Sequence, residues 1–146
     1  RRVARLALSL RRSYASRDEA IERYRVVPPS DRIAAPLLRR IAEQSIRREE
    51  DGRWGFKFDP RWFGVPSRPP PDPSQVSAQV LVLRGGESSL LSPKGAEALV
   101  GEFPSAHLAT IPEAGHHVHL DQPERTLQAL IQFLRSDVDS GEAEPG

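Results

Sequence analysis

Val80-Leu81-Val82-Leu83-Arg84-Gly85-Gly86 is the stretch on which the fold turns. Four apolar residues in an unbroken run, two of them β-branched and closed by a glycine pair, read as a short strand buried on both faces, as in a parallel sheet covered by helices. Downstream, Ser92-Pro93 opens a helix whose inner face is Ala96, Leu99, Val100 and Phe103 and which ends at Pro104. Residues 108–111 make another short strand, followed by the loop Pro112-Glu113-Ala114-Gly115-His116-His117-Val118-His119. Asp121 with Glu124 then caps a last helix carrying Leu127, Leu130, Ile131 and Leu134 on its inner face. Strand, helix, strand, loop, helix is an α/β layout, expected over residues 76–136. Two strands leave their outer edges as unpaired hydrogen-bonding rows, so the sheet is expected to be incomplete in this chain. Residues 137–146 are acidic, contain Gly, Ser and Pro, lack periodicity, and read as a disordered tail.

Upstream the pattern changes. Five prolines stand among the eight residues from Pro66 to Pro73, which neither continue a helix nor sit in a central strand, so residues 66–75 read as a linker. Before it, Val3, Leu6, Ala7 and Leu10 recur at helical spacing, with arginines on the other face. Ser16 and Glu19 form a capping box for a second helix over residues 18–26, stopped by Pro28-Pro29. A third helix starts near Pro36, turns Leu38, Ile41, Ala42 and Ser45 inward, and stops at Asp51-Gly52. Trp54, Phe56 and Phe58 alternate with Gly55 and Lys57, which sends their rings to one side of an extended segment that turns at Asp59-Pro60. Residues 1–65 are therefore a helical segment distinct from the α/β part. Charge divides at the same place: residues 1–64 hold 16 Lys+Arg and 9 Asp+Glu, the remainder 5 and 11.

Composition narrows the function classes. A chain of 146 residues, 38% hydrophobic, is one ordinary domain at most and long enough to bury a core. The longest strongly apolar run is far short of the ~20 residues that span a bilayer, and no signal peptide is recognisable. Zero cysteines exclude a disulfide framework, a thiolate nucleophile and a thiolate metal site, and leave a cytoplasmic setting as the default. There is no methionine either, and the chain begins Arg1-Arg2, so it is expected to be a piece of a longer protein. Arginines that alternate with glutamates along helices read as solvated faces and not as a nucleic-acid surface.

Three of the four histidines, His116, His117 and His119, follow Gly115 in the loop after the second strand. Ligands and catalytic groups in α/β sheets gather at the carboxyl ends of strands, and imidazole carries protons near neutral pH. A glycine before it lets the backbone turn and project a ring over the sheet edge. His117 and His119 with His116 make a poor metal cage, since the three are too close in sequence and lack a carboxylate at i, i+4. His107, on or before a strand, reads as a surface or packing residue.

Residues 80–86, the helix after them, and Ile111-Pro112-Glu113-Ala114-Gly115-His116-His117-Val118-His119-Leu120-Asp121-Gln122-Pro123-Glu124 resemble the C-terminal part of an α/β-hydrolase fold. Phe56-Lys57-Phe58-Asp59-Pro60 after a helical stretch is similar to the lid of bacterial and serine hydrolase-like members. The resemblance implies a partial α/β-hydrolase fold, comprising the last strands and helices of the parallel sheet, with residues 1–65 as a helical lid. It implies that His116 is the catalytic general base of an esterase-like site, that no metal or organic cofactor is needed, and that the substrate is a small, apolar ester or a related molecule.

Two departures from the family pattern stand out. The Gly-x-Ser-x-Gly nucleophile elbow is absent, and the nearest imitation, Gly86-Glu87-Ser88-Ser89-Leu90, follows the wrong strand, which leaves Ser88 as a turn residue. In the loop where many relatives carry the triad aspartate, the matching position is Ser89, with Glu87 the nearest carboxylate. Either Glu87 substitutes, or the acid follows an earlier strand upstream of Arg1, or the site is impaired. The missing N-terminal half of the fold would supply the nucleophile, so the isolated chain is expected to be inactive. The alternative is a non-catalytic α/β-hydrolase-like binding protein. Trp54, Phe56, Phe58, Trp62 and Phe63 either line an apolar pocket or pack the lid onto the sheet.

Overall fold

In the computed structural model of the chain, the described residues are 12–59, 69 and 72–141, with side chains described as far as residue 136. The expected helix around Val3 to Leu10, the aromatics Trp62 and Phe63, half of the proline-rich linker and residues 142–146 lie outside them. The chain divides into two compact units, Arg1–Pro29 with Ala34–Pro69, and Ser30–Ile33 with Pro70–Gly146.

In the first unit, α1 (Arg17–Arg23) starts where the capping box predicts: Ser16 Oγ accepts the Glu19 amide at 3.1 Å, and the Glu19 carboxylate accepts the Ala15 amide at 2.9 Å. It ends earlier than the proline pair requires, because Tyr24 goes extended and sets its ring edge-on against Phe56 at 5.7 Å. Pro36 sits in the first turn of α2 (Ala35–Ser45), and Ala42 is its buried residue, with Leu38, Ile41 and Ser45 half-buried. This helix stops at Ser45 and not at Asp51-Gly52. The Ser45 carbonyl accepts the Lys57 amide at 2.8 Å in place of a helical one. The chain then leaves as β1 (Ile46–Arg48) to pair antiparallel with β2 (Trp54–Phe56), turning through Gly52 at φ 81°. Pairing of β-branched Ile46 with Phe56 outweighs the helix propensity of the arginines that follow. The core is Tyr14, Ala20, Ile21, Ala42 and Ile46, with Tyr24, Trp54 and Phe56 packed against it.

In the second unit, β3 (Val80–Gly85) and β4 (Ala106–Ile111) pair in parallel, from Val80↔Ala106 to Gly85↔Ile111, joined through α3 (Pro93–Val100). Ser92 caps α3 by accepting the Gly95 amide at 3.0 Å, with Pro93 in the first turn as expected. Residues 80–83 are half-buried, not covered on both faces, because β3 has one strand neighbour among the described residues. A short α4 (Val118–Asp121) and the long α5 (Pro123–Gly141) follow. The core here is Ile111, Ala114 and Val118, with Leu83 and Ala129 against it.

Three expectations about the last helix are corrected. Its cap is not Asp121, which ends α4 and turns its carboxylate elsewhere. Its apolar stripe does not face inward: Leu127, Leu130, Ile131 and Leu134 are 39–60% exposed. Buried Thr126 fixes the rotation by donating its hydroxyl to the Val118 carbonyl at 2.9 Å, so Ala129 meets the core and Phe133 sits edge-on to His107 at 5.8 Å. The backbone also stays helical through Gly141, beyond the point where loss of periodicity predicts a tail, since residues 137–140 contain no breaker. No helix among the described residues is long and apolar enough to cross a membrane.

Candidate functional site

The loop that leaves the carboxyl end of β4 is held backbone first. Gly86 donates its amide to the Ile111 carbonyl at 2.7 Å, and Glu87 donates to Ala114 at 2.9 Å, which lays the loop after β3 along the loop after β4. The approach is so close that a Cβ at Gly85 would fall on the Gly115 carbonyl oxygen. Gly85, the first of the glycine pair that closes the strand in the sequence, is thus a contact requirement as well as part of a turn signal. Glu113 takes the left-handed conformation, φ 56°, in the turn before Ala114, and its carboxylate pairs with Arg125 at 3.1 Å.

His116 sits at the rim of this arrangement, exposed, with its ring 5.8 Å from that of His117. Its Nδ1 lies 3.3 Å from Ser88 Oγ. Ser88 Oγ also accepts the Leu91 amide at 3.2 Å, and the Ser88 amide donates to Gly85 at 3.0 Å, so the turn role read from the sequence is present alongside the imidazole contact. With one lone pair of Oγ committed to Leu91, the second can accept from Nδ1–H, which leaves Nε2 as the basic ring nitrogen.

The structure does not bring Glu87 to His116. The Glu87 carboxylate forms an ion pair with Arg32. Ser89, the position that the family pattern marks for the acid, is exposed, and the group on Nδ1 comes from its neighbour Ser88. His119 is exposed, and no three His, Asp or Glu side chains among the described residues converge as a metal cage. His107 packs on Phe133 beside a cavity of about 290 Å³ lined by Leu81, Leu108 and Ala129, near the start of the strands. Trp54 and Phe56 belong to the core of the first unit, where Phe56 meets Tyr14 at 5.5 Å, and Phe58 is exposed.

Sequence reading missed two supports of the loop. Arg84 is 7% exposed and donates to the Leu91 carbonyl at 2.9 Å and the Gly86 carbonyl at 3.2 Å, which closes the turn that presents Ser88. A lone arginine after an apolar run was the only signal for it. Asp121, also 7% exposed, accepts the Gly115 amide at 2.7 Å and the Ser30 hydroxyl at 2.6 Å. Its place three residues before Glu124 pointed to a cap, and spacing carries no trace of a partner 91 residues away.

No family model matches this sequence. Over 58 residues it is 38% identical to the sn-1-specific diacylglycerol lipase ABHD11 of Mus musculus, covering 40% of this chain and 19% of that protein. Over 63 residues it is 32% identical to a putative esterase/lipase of Haemophilus influenzae, covering 43% and 22%. Among solved structures, E-2-(acetamidomethylene)succinate hydrolase superposes with a TM-score of 0.70 at 23% identity, covering 91% of this chain and 52% of that one. The chain thus spans about half the length of that hydrolase, and the matched stretches are less than a quarter of the two lipase-like proteins.

Proposed function

We propose that this chain, which has the fold of the C-terminal part of an α/β-hydrolase, supplies the general-base histidine of an esterase-like serine hydrolase. The observation that carries the reading is His116 on the loop at the carboxyl end of parallel β4, its Nδ1 engaged by Ser88. In this reading Nε2 takes the proton of a serine nucleophile as that oxygen attacks the ester carbonyl, and returns it to the leaving alcohol; water then repeats the cycle on the acyl-enzyme. The nucleophile and the backbone donors for the oxyanion come from strands that complete the sheet, the missing N-terminal half of the fold. No cofactor takes part. Residues 1–65 act as a lid, the substrate is a small apolar ester, and a cytoplasmic setting is the default.

Turnover of p-nitrophenyl esters by the intact protein tests this. His116→Ala is expected to lower kcat about 10⁴-fold or more, as loss of a triad base does. The 146-residue chain by itself is expected to show none. Retention of most of the activity in His116→Ala would overturn the assignment.

One observation favours a second reading, a non-catalytic binding protein on the same scaffold. The Nδ1 partner is a neutral hydroxyl where a triad has a carboxylate, and a hydroxyl does not hold an imidazolium by charge. An intact protein that binds apolar esters and never hydrolyses them would select it.

A further inference from the structure

Three successive residues of the histidine loop have separate anchors: the Ala114 carbonyl on the Glu87 amide, the Gly115 amide on the Asp121 carboxylate, and the His116 ring on Ser88. The first two lead to the same short segment, Ser30–Ile33, which the fold assigns to the second unit although its sequence neighbours on both sides belong to the first. Ser30 donates its hydroxyl to Asp121 Oδ1 at 2.6 Å while accepting the Arg32 amide at 3.2 Å, which fixes the direction of the hydroxyl proton. Arg32 holds the Glu87 carboxylate, and Ile33 is buried. A strap some 90 residues from the loop therefore grips both sides of the turn that carries the imidazole.

The energetic weight lies on Asp121. A carboxylate taken out of water is costly unless its oxygens are satisfied, and here one oxygen is met by the Gly115 amide and the other by Ser30. Hydrogen bonds to a charged acceptor are the strong class, and this one ends on the amide directly before His116. Moving the backbone turn at Gly115, and with it the point from which the His116 ring projects, would break this bond and leave a buried charge half-paired. We propose that Asp121, held by Ser30, is a positioning residue that fixes the turn at Gly115 and so sets the register of His116 against Ser88. This rests on the reading of His116 as the base, but the geometry it claims is measurable without turnover.

The experiment is NMR on the 146-residue chain and its Asp121→Ala, Asp121→Asn and Ser30→Ala variants. Two signals are read: hydrogen exchange at the Gly115 amide, and the ring ¹⁵N shifts of His116, which distinguish a held tautomer from a free mixture. Asp121→Ala is expected to speed Gly115 exchange about tenfold or more. It should also move the His116 ring shifts toward a mixture while those of His107 stay put. Asp121→Asn keeps an acceptor in place and is expected to restore the His116 pattern, which general destabilisation would not allow. Ser30→Ala, a milder change that serves if Asp121→Ala does not fold, is expected to speed Gly115 exchange about threefold or more. Unchanged His116 shifts in folded Asp121→Ala, failure of Asn to restore them, or unchanged Gly115 exchange in Ser30→Ala would each overturn the proposal. None of these results depends on whether His116→Ala abolishes ester turnover.

Discussion

A base that takes a proton at Nε2 has to carry its own proton at Nδ1, and whatever sits on Nδ1 decides how well the ring holds the second proton and the positive charge it brings. Here that group is the Ser88 hydroxyl at 3.3 Å. Ser88→Asp, which places a carboxylate on Nδ1, is expected to hold the Nδ1–H tautomer of the His116 ring more fully than the hydroxyl does. The ring ¹⁵N shifts of His116 in both chains check it, and identical shifts would show that the side chain at position 88 does not meet the ring. Gly85 offers a purely steric test. A methyl group there meets backbone and not a flexible side chain, so Gly85→Ala has to push the loop off the end of β3. The expected loss is about 1–3 kcal/mol in denaturant unfolding, the range for forcing extra atoms into a packed site. The glycine pair was legible from the sequence as the end of a strand. Its tight contact with Gly115 was not, because it joins loops that no local pattern connects.

At the scale of elements, capping chemistry was the most readable feature. Ser16 and Ser92 stand at the helix starts the sequence assigns them, because a hydroxyl bonding an amide three residues on needs nothing outside the segment. Ser92→Ala is expected to cost about 1 kcal/mol, read as a lower midpoint in denaturant. A second local cap responds to pH. The Ser74 hydroxyl and amide hold the exposed Asp72 carboxyl below its usual value at the start of the 3-10 turn Pro73–Gln75. A lowered value in the folded chain means that this cap is complete above the ordinary value of 3.8 and is lost as the pH falls through the folded one. The Ser74 amide resonance is expected to shift over that acid range and to lose the shift in Asp72→Asn. Where reading failed, a distant partner had the stronger claim: Trp54 to Phe56 drew Ile46 to Arg48 out of a helix, and Gly115 drew Asp121 away from a cap. Sequence spacing measures what a residue can do for its neighbours and is silent on a better offer from across the fold.

For the molecule as a whole, α5 raises the largest question. Leu127, Leu130, Ile131 and Leu134 repeat at i, i+3, i+4 and i+7, the spacing of a face meant for burial, yet Leu134 is 60% and Leu127 56% exposed. The residues of β3 that read as a strand covered on both sides are likewise only half-buried. Both observations have one physical origin if the chain carries apolar surface matched to further strands and helices of the same fold. The order of strand and helix was legible because β3 and α3 obey their own periods. Which face of α5 is inward was not, since the rotation in this chain is set by Thr126 and Ala129, neither of which belongs to the apolar stripe. Leu134→Glu in the chain as it stands is expected to change unfolding free energy by no more than about 0.5 kcal/mol, as for an exposed position. It should also weaken concentration-dependent self-association in sedimentation, because an exposed apolar stripe promotes it. The same substitution in the intact hydrolase proposed above is expected to cost about 2 kcal/mol or more, since it would bury an unpaired charge. A large loss in the isolated chain would instead mean that this face is already covered by residues 1–146, and the chain would then need no other half.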